Sequence, residues 1–447
     1  MSKRFYVMIL SVLFAMASFG APLWAQEATP PAETTTQAAP APEETPAPAA
    51  EPAPAAEPAP AAEPAPAAEP APAPVVEQAP AAPAAEAPAA APTGSRLEQA
   101  IAKAPLGMEK GQIDQTKPAG FLGIPGAPQI SPILALIWAI WVGWIFSTVG
   151  AFGGIMAGVG HMTVYGLGSY ANSFKSTAPE LNKSVTDSIR ASNQFLVGLS
   201  ALISSVNYAK MGRLVMPLAL ALGLGSLLGA WGSATLTAGK ISFAQYQGYF
   251  GLFVLALGGY LFWETSPSGQ ANKQKQKQAA KAFEDAVKAQ KTSGGPAPTG
   301  VKILGISIGK VEFTFCGVEF SFNPLLPVAG GVVISAVAAF LGVGGGFLLV
   351  PFLTSITQLP MYLAAGTSAL AVLVSMITSI ITLMTKGTAI DWVLIGTQMV
   401  GIAIGSTVGP YTSKYFSDKW LKRLFIVLAL YVGIDFVLKG FFGIKLL

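Results

Sequence analysis

The chain has 447 residues, of which 52% are hydrophobic and 11% are charged, and its formal net charge is +4. Soluble domains carry about 25% charged residues, so this composition indicates a polytopic membrane protein, and the small net charge argues against nucleic acid as a partner. One cysteine and one histidine are too few for an internal disulfide or a Cys/His metal cage. Carboxylates are also scarce in the apolar runs, so we expect no enzyme activity, no metal and no cofactor.

Residues 1–25 have the pattern of a secretory signal peptide. Lys3 and Arg4 precede an apolar stretch that is shorter than the roughly 20 residues of a membrane-spanning helix. Ala25 supplies the small residue of a cleavage site. An uncleaved signal anchor is the alternative. Both interpretations place the chain from residue 26 onward outside the cytoplasm.

Residues 26–95 form a low-complexity region that repeats the motif E-P-A-P-A-A. Frequent proline removes amide donors and favours an extended polyproline conformation, and no large apolar side chain recurs to build a core. We therefore expect a disordered Pro/Ala/Glu-rich region. It either reaches a periplasmic or cell-wall partner or is a solvated tail without a specific partner. Residues 96–131 form a juxtamembrane segment.

Two blocks of apolar segments predict an all-α polytopic membrane protein with about eight transmembrane helices. Runs of roughly 20 apolar residues are long enough to cross the bilayer as helices. Residues 132–264 form transmembrane repeat 1, and residues 325–447 form transmembrane repeat 2. The predicted spans lie near 132–157, 186–208, 213–235, 246–263, 325–345, 362–385, 391–410 and 421–440.

A polar insert, residues 265–324, separates the two blocks. Its sequence KQKQKQAAKAFEDAVKAQK predicts a short charged helix. The next segment, VKILGISIGKVEFTFCGVEFSF, alternates apolar and polar residues, which predicts a small three-stranded β-meander. The insert is thus an extramembrane element of its own.

The number of spans and the loop charges predict the orientation in the bacterial inner membrane. A cleaved signal peptide and eight spans place the N-terminus, the C-terminus and the insert in the periplasm. The predicted cytoplasmic loops then carry more Lys and Arg than the short external loops, as the positive-inside tendency requires. The lysine-rich insert is an exception, which is tolerated because long loops translocate largely regardless of charge.

The two blocks resemble each other in sequence. At a constant offset of 176, Ser192 corresponds to Ser368 and Lys210 to Lys386. GAFGGIM resembles GVGGGFL once about 16 further residues are allowed for. We infer an internal duplication, with chance spacing as the alternative, and four spans in each half predict parallel repeats. The offset of 176 also aligns small residues four apart, namely Gly225, Gly229 and Ser233 with Gly401, Gly405 and Gly409.

Glycine clusters interrupt the first apolar segment of each half. Glycine in a helix interior costs roughly 1 kcal/mol relative to alanine, but it permits the close backbone approach that a helix break requires. A broken helix directs free amide groups into a cavity and favours an anion, and paired breaks in two halves indicate a transporter site. Tight helix packing is the alternative. The candidate substrate-binding residues are Gly150, Gly153, Gly154, Arg190, Ser192, Asn193, Gly342, Gly344, Gly345, Gly346, Thr367 and Ser368.

Several polar side chains have two interpretations. Arg190 could hold an oxyanion through two parallel hydrogen bonds, or it could snorkel to the membrane interface. Thr367 and Ser368 could donate hydrogen bonds to substrate, or bond back to carbonyls of their own helix. His161 could carry a coupling proton or be structural.

The motifs of the second half resemble the sulfite exporter TauE/SafE family of membrane transporters. They are FLGVGGGFLLVPFL, AAGTSAL and KGTAIDW, and the first half is similar but looser, with Phe152 in place of Gly344. The resemblance covers residues 132–264 and 325–447. It implies about eight spans, an internal duplication and transport of small sulfur-containing anions such as sulfite or sulfonates.

We therefore expect a secondary transporter that moves a small sulfur-containing anion across the inner membrane by alternating access. Its partners would be the lipid bilayer, the small anionic substrate and a coupling ion. The alternative is a membrane anchor or energy-transducing interaction protein with a periplasm-spanning Pro-rich arm. An anchor has no need of interrupted helices, so the paired glycine breaks favour transport.

Overall fold

The computed structural model describes residues 95–149, 152–266, 301–307, 309–315, 318–356, 359, 361–412 and 418–444. Within these residues the chain is mostly helical, as expected for a polytopic membrane protein. The signal peptide, the Pro/Ala/Glu-rich region, the predicted charged helix of the insert and Gly150 lie outside the described residues.

The helices of the described residues are numbered in chain order. Those before the insert are α1 Arg96–Ala102, α2 Pro132–Val149, α3 Phe152–Val159, α4 Leu167–Ser173, α5 Pro179–Lys210, α6 Met216–Thr237 and α7 Phe243–Thr265. Those after it are α8 Leu325–Leu341, α9 Gly346–Ile356, α10 Met361–Thr385, α11 Trp392–Thr412 and α12 Asp418–Val437. Turns of π-helix extend α3 and α12, at Gly160–Val164 and Leu438–Phe442.

Three of these helices are long and apolar enough to cross a membrane. By length and composition, the crossing segments are Met216–Thr237, Leu363–Thr385 and Trp392–Gly409. Two shorter apolar helices have the bounds Pro132–Ser147 and Leu325–Leu341. The described part of the chain therefore supports a helical membrane protein but does not confirm the predicted count of eight transmembrane helices.

Local sequence signals set several helix ends. Ser242 caps α7 by accepting a hydrogen bond from the Gln245 amide, and the Gln245 side chain accepts one from the Ser242 amide in return. Pro179 opens α5, where the first turn needs no amide donor. Gly342 ends α8 with a φ of 69°, the left-handed conformation that favours glycine at this position.

The insert contributes a three-stranded antiparallel sheet. Its strands are β1 Lys302–Ile306, β2 Val311–Phe315 and β3 Val318–Phe322, in the spatial order β1-β2-β3. The rings of Phe313 and Phe320 stack with centroids 5.3 Å apart on one face. Just before β1, the Val301 amide donates a hydrogen bond of 3.4 Å to the Gly212 carbonyl, in the loop between α5 and α6. This bond places the sheet beside that loop.

The long helices α5 and α10 cross in opposite directions. Gly198 of α5 lies against the side chain of Met376 in α10, and Gly366 of α10 lies against Tyr208 of α5. Residue numbers thus rise along one helix as they fall along the other. The helices α7 and α12 also pack in this antiparallel manner.

Two other helix pairs run parallel and make reciprocal contacts. A Cβ atom at any of four glycines of α6 and α11 would lie within 2.6 Å of a carbonyl oxygen on the partner helix, so this close approach requires glycine. α6 packs on α8 in this way, and α11 packs on α2. The facing residues are Gly225 with Val328, Gly229 with Val332, Gly401 with Leu136 and Gly405 with Ile140.

The bundle has two ends, which we name the Arg96 end and the Gly212 end. At the Arg96 end, the Arg96 side chain bonds to Asp187 near the start of α5. It also lies against Gly239, which comes after α6, and Gly387, which comes after α10. At the Gly212 end, the loop from α5 to α6 meets the insert sheet. The juxtamembrane segment and the sheet therefore pack at opposite ends.

The helices α2 and α3 form a hairpin, named hairpin 1, that enters from the Arg96 end. α2 runs parallel to α11, which begins just after Gly387. α3 turns back along α2, because the Trp138 indole donates to the Met156 carbonyl at 3.1 Å and Gly153 lies against Phe146. Both arms therefore point to the same end of the bundle.

The helices α8 and α9 form hairpin 2, which enters from the Gly212 end. α8 runs parallel to α6, which begins at that end. α9 turns back along α8, since the Phe352 ring lies against Gly330 while Gly345 lies against Ile334 and Ala338. The two hairpins thus enter the bundle from opposite ends.

The expectation of parallel halves is wrong, because the two halves have opposite orientations. Each half combines one hairpin, whose arms return to the end that they left, with three helices that run from end to end. Because the first half has three such helices, the chain reaches the opposite end of the bundle before hairpin 2 begins. The second half is therefore inverted relative to the first. The sheet of the insert and residues 96–131 accordingly pack at opposite ends of the bundle, and not at one end as the predicted orientation implied.

Candidate functional site

The turn of hairpin 2 is built on glycines that the sequence pattern marks as candidates. Gly342 and Gly344 have φ angles of 69° and 73°, which glycine adopts without the steric cost of a side chain. A Cβ at Gly344 would lie 2.4 Å from Cγ1 of Val197, and one at Gly342 would lie 2.9 Å from the carbonyl oxygen of Arg190. The turn of hairpin 2 therefore packs closely against α5.

The turns of the two hairpins touch each other. A Cβ at Gly154 of hairpin 1 would lie 1.8 Å from the carbonyl oxygen of Val343 in hairpin 2, so the two backbones are in direct contact. Gly153 packs against the other arm of hairpin 1, whereas Gly345 and Gly346 begin the return arm of hairpin 2. The structure thus brings these candidate glycines together.

Arg190 is fully buried, with 0% relative exposure, and protein groups hold its guanidinium. It donates to the Phe340 carbonyl at 2.8 Å, to Oδ1 of Asp187 at 2.9 Å and to Oγ1 of Thr237 at 2.9 Å. Phe340 lies two residues before Gly342. The side chain is therefore directed into the bundle, where it ties α5 to the turn of hairpin 2 and to the end of α6.

Asp187 is a functional candidate that sequence reasoning missed. Its Oδ2 accepts hydrogen bonds from Arg96 at 3.1 Å and from the Gly239 amide at 2.6 Å. Two guanidinium groups thus share one carboxylate, which leaves one positive charge in this cluster beside hairpin 2. The sequence did contain a signal for Asp187, because it lies three positions before Arg190 and ionisable residues in membrane segments pair with one another.

Ser192 and Asn193 are buried next to Arg190 on α5. Ser192 Oγ and Asn193 Oδ1 have no hydrogen-bond partner among the described residues, while the Asn193 amide nitrogen donates to the Tyr246 hydroxyl at 3.4 Å. Tyr246 donates in turn to the Leu341 carbonyl at 2.9 Å, just before the turn of hairpin 2. Buried polar atoms without partners are uncommon, so these two oxygens are candidates for contact with a polar ligand.

Thr367 and Ser368 lie at a different level of the bundle. Thr367 Oγ1 accepts a hydrogen bond from the Val215 amide at 3.2 Å, and Ser368 donates to the Ala365 carbonyl at 3.1 Å. The antiparallel contacts of α5 and α10 separate Thr367 from Ser192 by about 15 residues of helix, or about 20 Å. The structure therefore does not bring these two hydroxyls to the turn of hairpin 2.

Sequence reasoning missed three buried hydroxyls at the crossing of α5 and α10. Gly344 packs between Val197 of α5 and Val372 of α10, each three residues before a serine that is only 1% exposed. A third serine lies one turn further along α10. None of the three hydroxyl oxygens has a hydrogen-bond partner in the described part of the chain, and the residues are Ser200, Ser375 and Ser379.

An open cleft of about 520 Å³ lies away from the hairpin turns, at the Arg96 end. Residues 119–135 and 389–397 supply its mostly apolar lining. Asp391 lies in this cleft and accepts hydrogen bonds from the amides of Leu394 and Leu122, both at 3.0 Å. Its carboxylate thus caps α11 and anchors the juxtamembrane segment, which is a structural role.

Comparisons with known proteins agree with the motifs. The family model for the sulfite exporter TauE/SafE matches residues 134–436. Over 322 residues the chain is 21% identical to the probable membrane transporter protein YunE of Bacillus subtilis (strain 168), an alignment that covers 70% of this chain and 100% of that protein. No solved structure matches the chain. The family match covers more than half of the sequence and confirms the resemblance, so the chain belongs to the sulfite exporter TauE/SafE family of membrane transporters.

Proposed function

We propose that this protein is a secondary transporter that moves a small sulfur-containing anion, such as sulfite or a sulfonate, across the bacterial inner membrane. Membership of a transporter family supports this function. The observation that carries the proposal is the direct contact of Gly154 with the Val343 carbonyl, where two hairpins from opposite ends of the bundle meet. Discontinuous helices of this kind form substrate sites in many transporters.

The two hairpins act as the two gates of an alternating-access cycle. Hairpin 1 closes the path from the Arg96 end, and hairpin 2 closes it from the Gly212 end. An inverted internal duplication supports this symmetry, because the contacts of α6 with α8 and of α11 with α2 pair corresponding residues of the two halves. In this arrangement six helices cross the bilayer and each hairpin returns to its own side.

The anion binds where hydrogen-bond donors and positive charge are concentrated. Ser200 and Ser375 carry unpaired hydroxyls, each three residues after a valine that contacts Gly344. Amides of the hairpin turns add further donors. The cluster of Arg190, Asp187 and Arg96 adds one net positive charge close to hairpin 2. Hydroxyls and amides replace the water of an oxyanion without a carboxylate that would repel it.

The remaining candidate residues line the path on either side of this centre. Ser192 and Asn193 face the substrate toward the Arg96 end. Thr367 and Ser368 occupy the corresponding place toward the Gly212 end, where α10 begins. The path is therefore lined by neutral polar groups, among which the Ser192 hydroxyl can donate a hydrogen bond to the anion.

The Gly212 end faces the cytoplasm in this proposal, and both chain termini face the periplasm. A cleaved signal peptide places the Arg96 end outside. The lysine-rich sequence between α7 and α8 and the basic sequence between α11 and α12 would then be cytoplasmic, which agrees with the positive-inside tendency. This orientation removes the exception that the insert required when it was placed in the periplasm.

Substitution of the central serines tests the site. A hydrogen bond to a charged group contributes about 1.5–3 kcal/mol, so we expect Ser200→Ala and Ser375→Ala each to weaken anion transport by roughly 10- to 100-fold. The measurement is uptake of radiolabelled sulfite, and of a panel of sulfonates, into proteoliposomes that contain the purified full-length protein.

Ser205→Ala is the matched control. Ser205 is also buried on α5, but its hydroxyl already donates to the Ala201 carbonyl at 2.7 Å, so its loss should leave transport near the wild-type rate. Unchanged transport by both central variants, at normal protein abundance, would contradict the proposed site. Absence of transport by the wild-type protein for every sulfur anion tested would contradict the proposed function.

A further inference from the structure

The chain's single histidine is buried in hairpin 1, about two helical turns after the contact of Gly154 with hairpin 2. His161 has 0% relative exposure and lies in the π-helical turn that extends α3. Its Nδ1 is 3.0 Å from the Ala157 carbonyl oxygen, and its Nε2 is 3.2 Å from Oε1 of Gln398 in α11. Because a carbonyl oxygen only accepts hydrogen bonds, Nδ1 carries a hydrogen and Nε2 is the position that gains or loses one.

Gln398 can satisfy both protonation states of this imidazole. With Oε1 toward the histidine, its amide nitrogen donates to the Tyr165 hydroxyl at 3.2 Å, and Nε2 of the imidazolium donates to Oε1. After a half-turn of the amide, the NH₂ group donates to the lone pair of neutral Nε2 and the tyrosine hydroxyl donates to Oε1. Neither state leaves a polar atom of this trio without a partner.

Among the described residues, the groups packed around His161 include no free carboxylate. α2 contributes Trp138, whose indole lies against Gly160, and the Tyr165 ring meets the imidazole edge-on with centroids 5.4 Å apart. The segments α2, α3 and α11 contain no Asp or Glu. An imidazolium here thus lacks a negative partner on those helices, and a buried charge without a partner is costly.

The remaining ionisable groups near this site lie on α5 and α7. On α5, Asn193 lies against Gly158, one turn before His161. The charged residues nearest to Asn193 along that helix are Arg190 and Asp187, which are bonded to each other. On α7, Tyr246 bonds to Asn193. The ion cluster is therefore net positive, and it offers the imidazolium no compensating charge.

We propose that His161 binds the coupling proton of the transporter, and that the substrate anion supplies the missing negative charge. This inference rests on the proposed function. Protonation and anion binding favour each other, because each ion neutralises the other in a buried site. By linkage, the anion raises the affinity for the proton by the same factor as the proton raises the affinity for the anion. The loaded carrier thus holds one anion and one proton.

Nuclear magnetic resonance tests the proposal directly, because the chain contains one histidine. Full-length protein labelled with ¹⁵N-histidine, purified with a histidine-free tag and placed in nanodiscs, gives a single imidazole to titrate over about pH 5–8. Methanesulfonate is the probe, since its charge is constant over this range whereas sulfite changes charge. We expect the anion to move the titration midpoint to higher pH by at least about one unit, which is a tenfold linkage.

Two neighbouring variants of α11 sharpen this test. Gln398→Leu removes the group that accepts the hydrogen of the imidazolium, so the anion-dependent shift should be lost. Thr397→Val changes the adjacent residue, which is half-buried and bonded to the Val393 carbonyl of its own helix, and should keep the wild-type shift. A midpoint that does not respond to methanesulfonate in the wild-type protein would overturn the proposal, as would an unchanged shift in Gln398→Leu.

A transport assay separates failure of this inference from failure of the proposed function. Methanesulfonate exchange with equal pH on both sides of the vesicle tests transport alone. A pH gradient should then drive methanesulfonate accumulation by the wild-type protein, and His161→Gln should lose this stimulation relative to its own exchange rate. Exchange without any effect of the gradient in the wild-type protein would overturn proton coupling and leave the transporter proposal intact.

Discussion

Gly154→Ala should reduce anion transport by about 100-fold. The added Cβ would lie 1.8 Å from the Val343 carbonyl oxygen, and because both atoms belong to backbone or are fixed to it, no rotamer change relieves the clash. The two hairpin turns must then separate by more than about 1 Å. A misplacement of this size can cost about two orders of magnitude in the rate of a positioned site. The measurement is sulfite uptake into proteoliposomes.

Three other glycines provide matched controls for this substitution. Gly232, Gly259 and Gly396 are helical, and a Cβ at any of them would meet no atom within 4 Å. Their alanine variants should transport at the wild-type rate, and helix propensity should favour them slightly. Normal transport by Gly154→Ala, at normal abundance and with normal thermal stability, would show that the contact of the hairpin turns is not part of the transport site.

Asp187→Asn should destabilise the fold by about 3–5 kcal/mol, because it leaves the buried guanidinium of Arg190 without a counter-charge. The side chains of both residues are at most 1% exposed, and the ion pair is 2.9 Å long. The same substitution weakens the bonds of Oδ2 to Arg96 and Gly239 at the Arg96 end. The free energy of unfolding in mixed micelles is the quantity to measure.

The ion pair of Lys103 with Glu180 is the control for this prediction. It also joins the α1 region to α5 and is 3.1 Å long, but its side chains are 64% and 62% exposed. Such surface pairs contribute at most about 1 kcal/mol, so Lys103→Ala should change stability little. Equal effects of Asp187→Asn and Lys103→Ala would contradict the structural role of the buried cluster. Partial recovery in Asp187→Asn combined with Arg190→Gln would support it, because the unpaired charge is then removed.

The glycine clusters and the repeat spacing of 176 residues could be recognised in the sequence. Close backbone contact restricts a position to glycine, so these contacts leave a pattern in the residue types. Gly225 and Gly401 correspond at that offset, and each faces a carbonyl oxygen of a partner helix. The predicted spans near 362–385 and 391–410 coincide with α10 and α11 for a related reason. Apolar composition alone identifies a long helix that is buried or faces lipid.

Hydropathy could not distinguish a crossing helix from a hairpin. The predicted span near 132–157 joins α2 to most of α3, because the apolar composition continues through the turn. The direction of each half depends on this difference, so the parallel arrangement was predicted wrongly, and with it the end of the bundle at which the insert sheet packs. Contacts across the bundle could not be predicted from the sequence either. Ser200 and Ser375 are far apart in the chain, and they become candidates for one site only because α5 crosses α10.

The sidedness of the two extramembrane parts tests the central claim, which is that the halves are inverted around opposed hairpins. Lys110 in the juxtamembrane segment and Ser307 between β1 and β2 are both exposed. In a Cys316→Ser background, each of the variants Lys110→Cys and Ser307→Cys provides one thiol for a membrane-impermeant maleimide in spheroplasts. The account predicts labelling of Lys110→Cys in intact spheroplasts and of Ser307→Cys only after lysis. Labelling of both variants from the same side of the membrane would contradict the inverted arrangement.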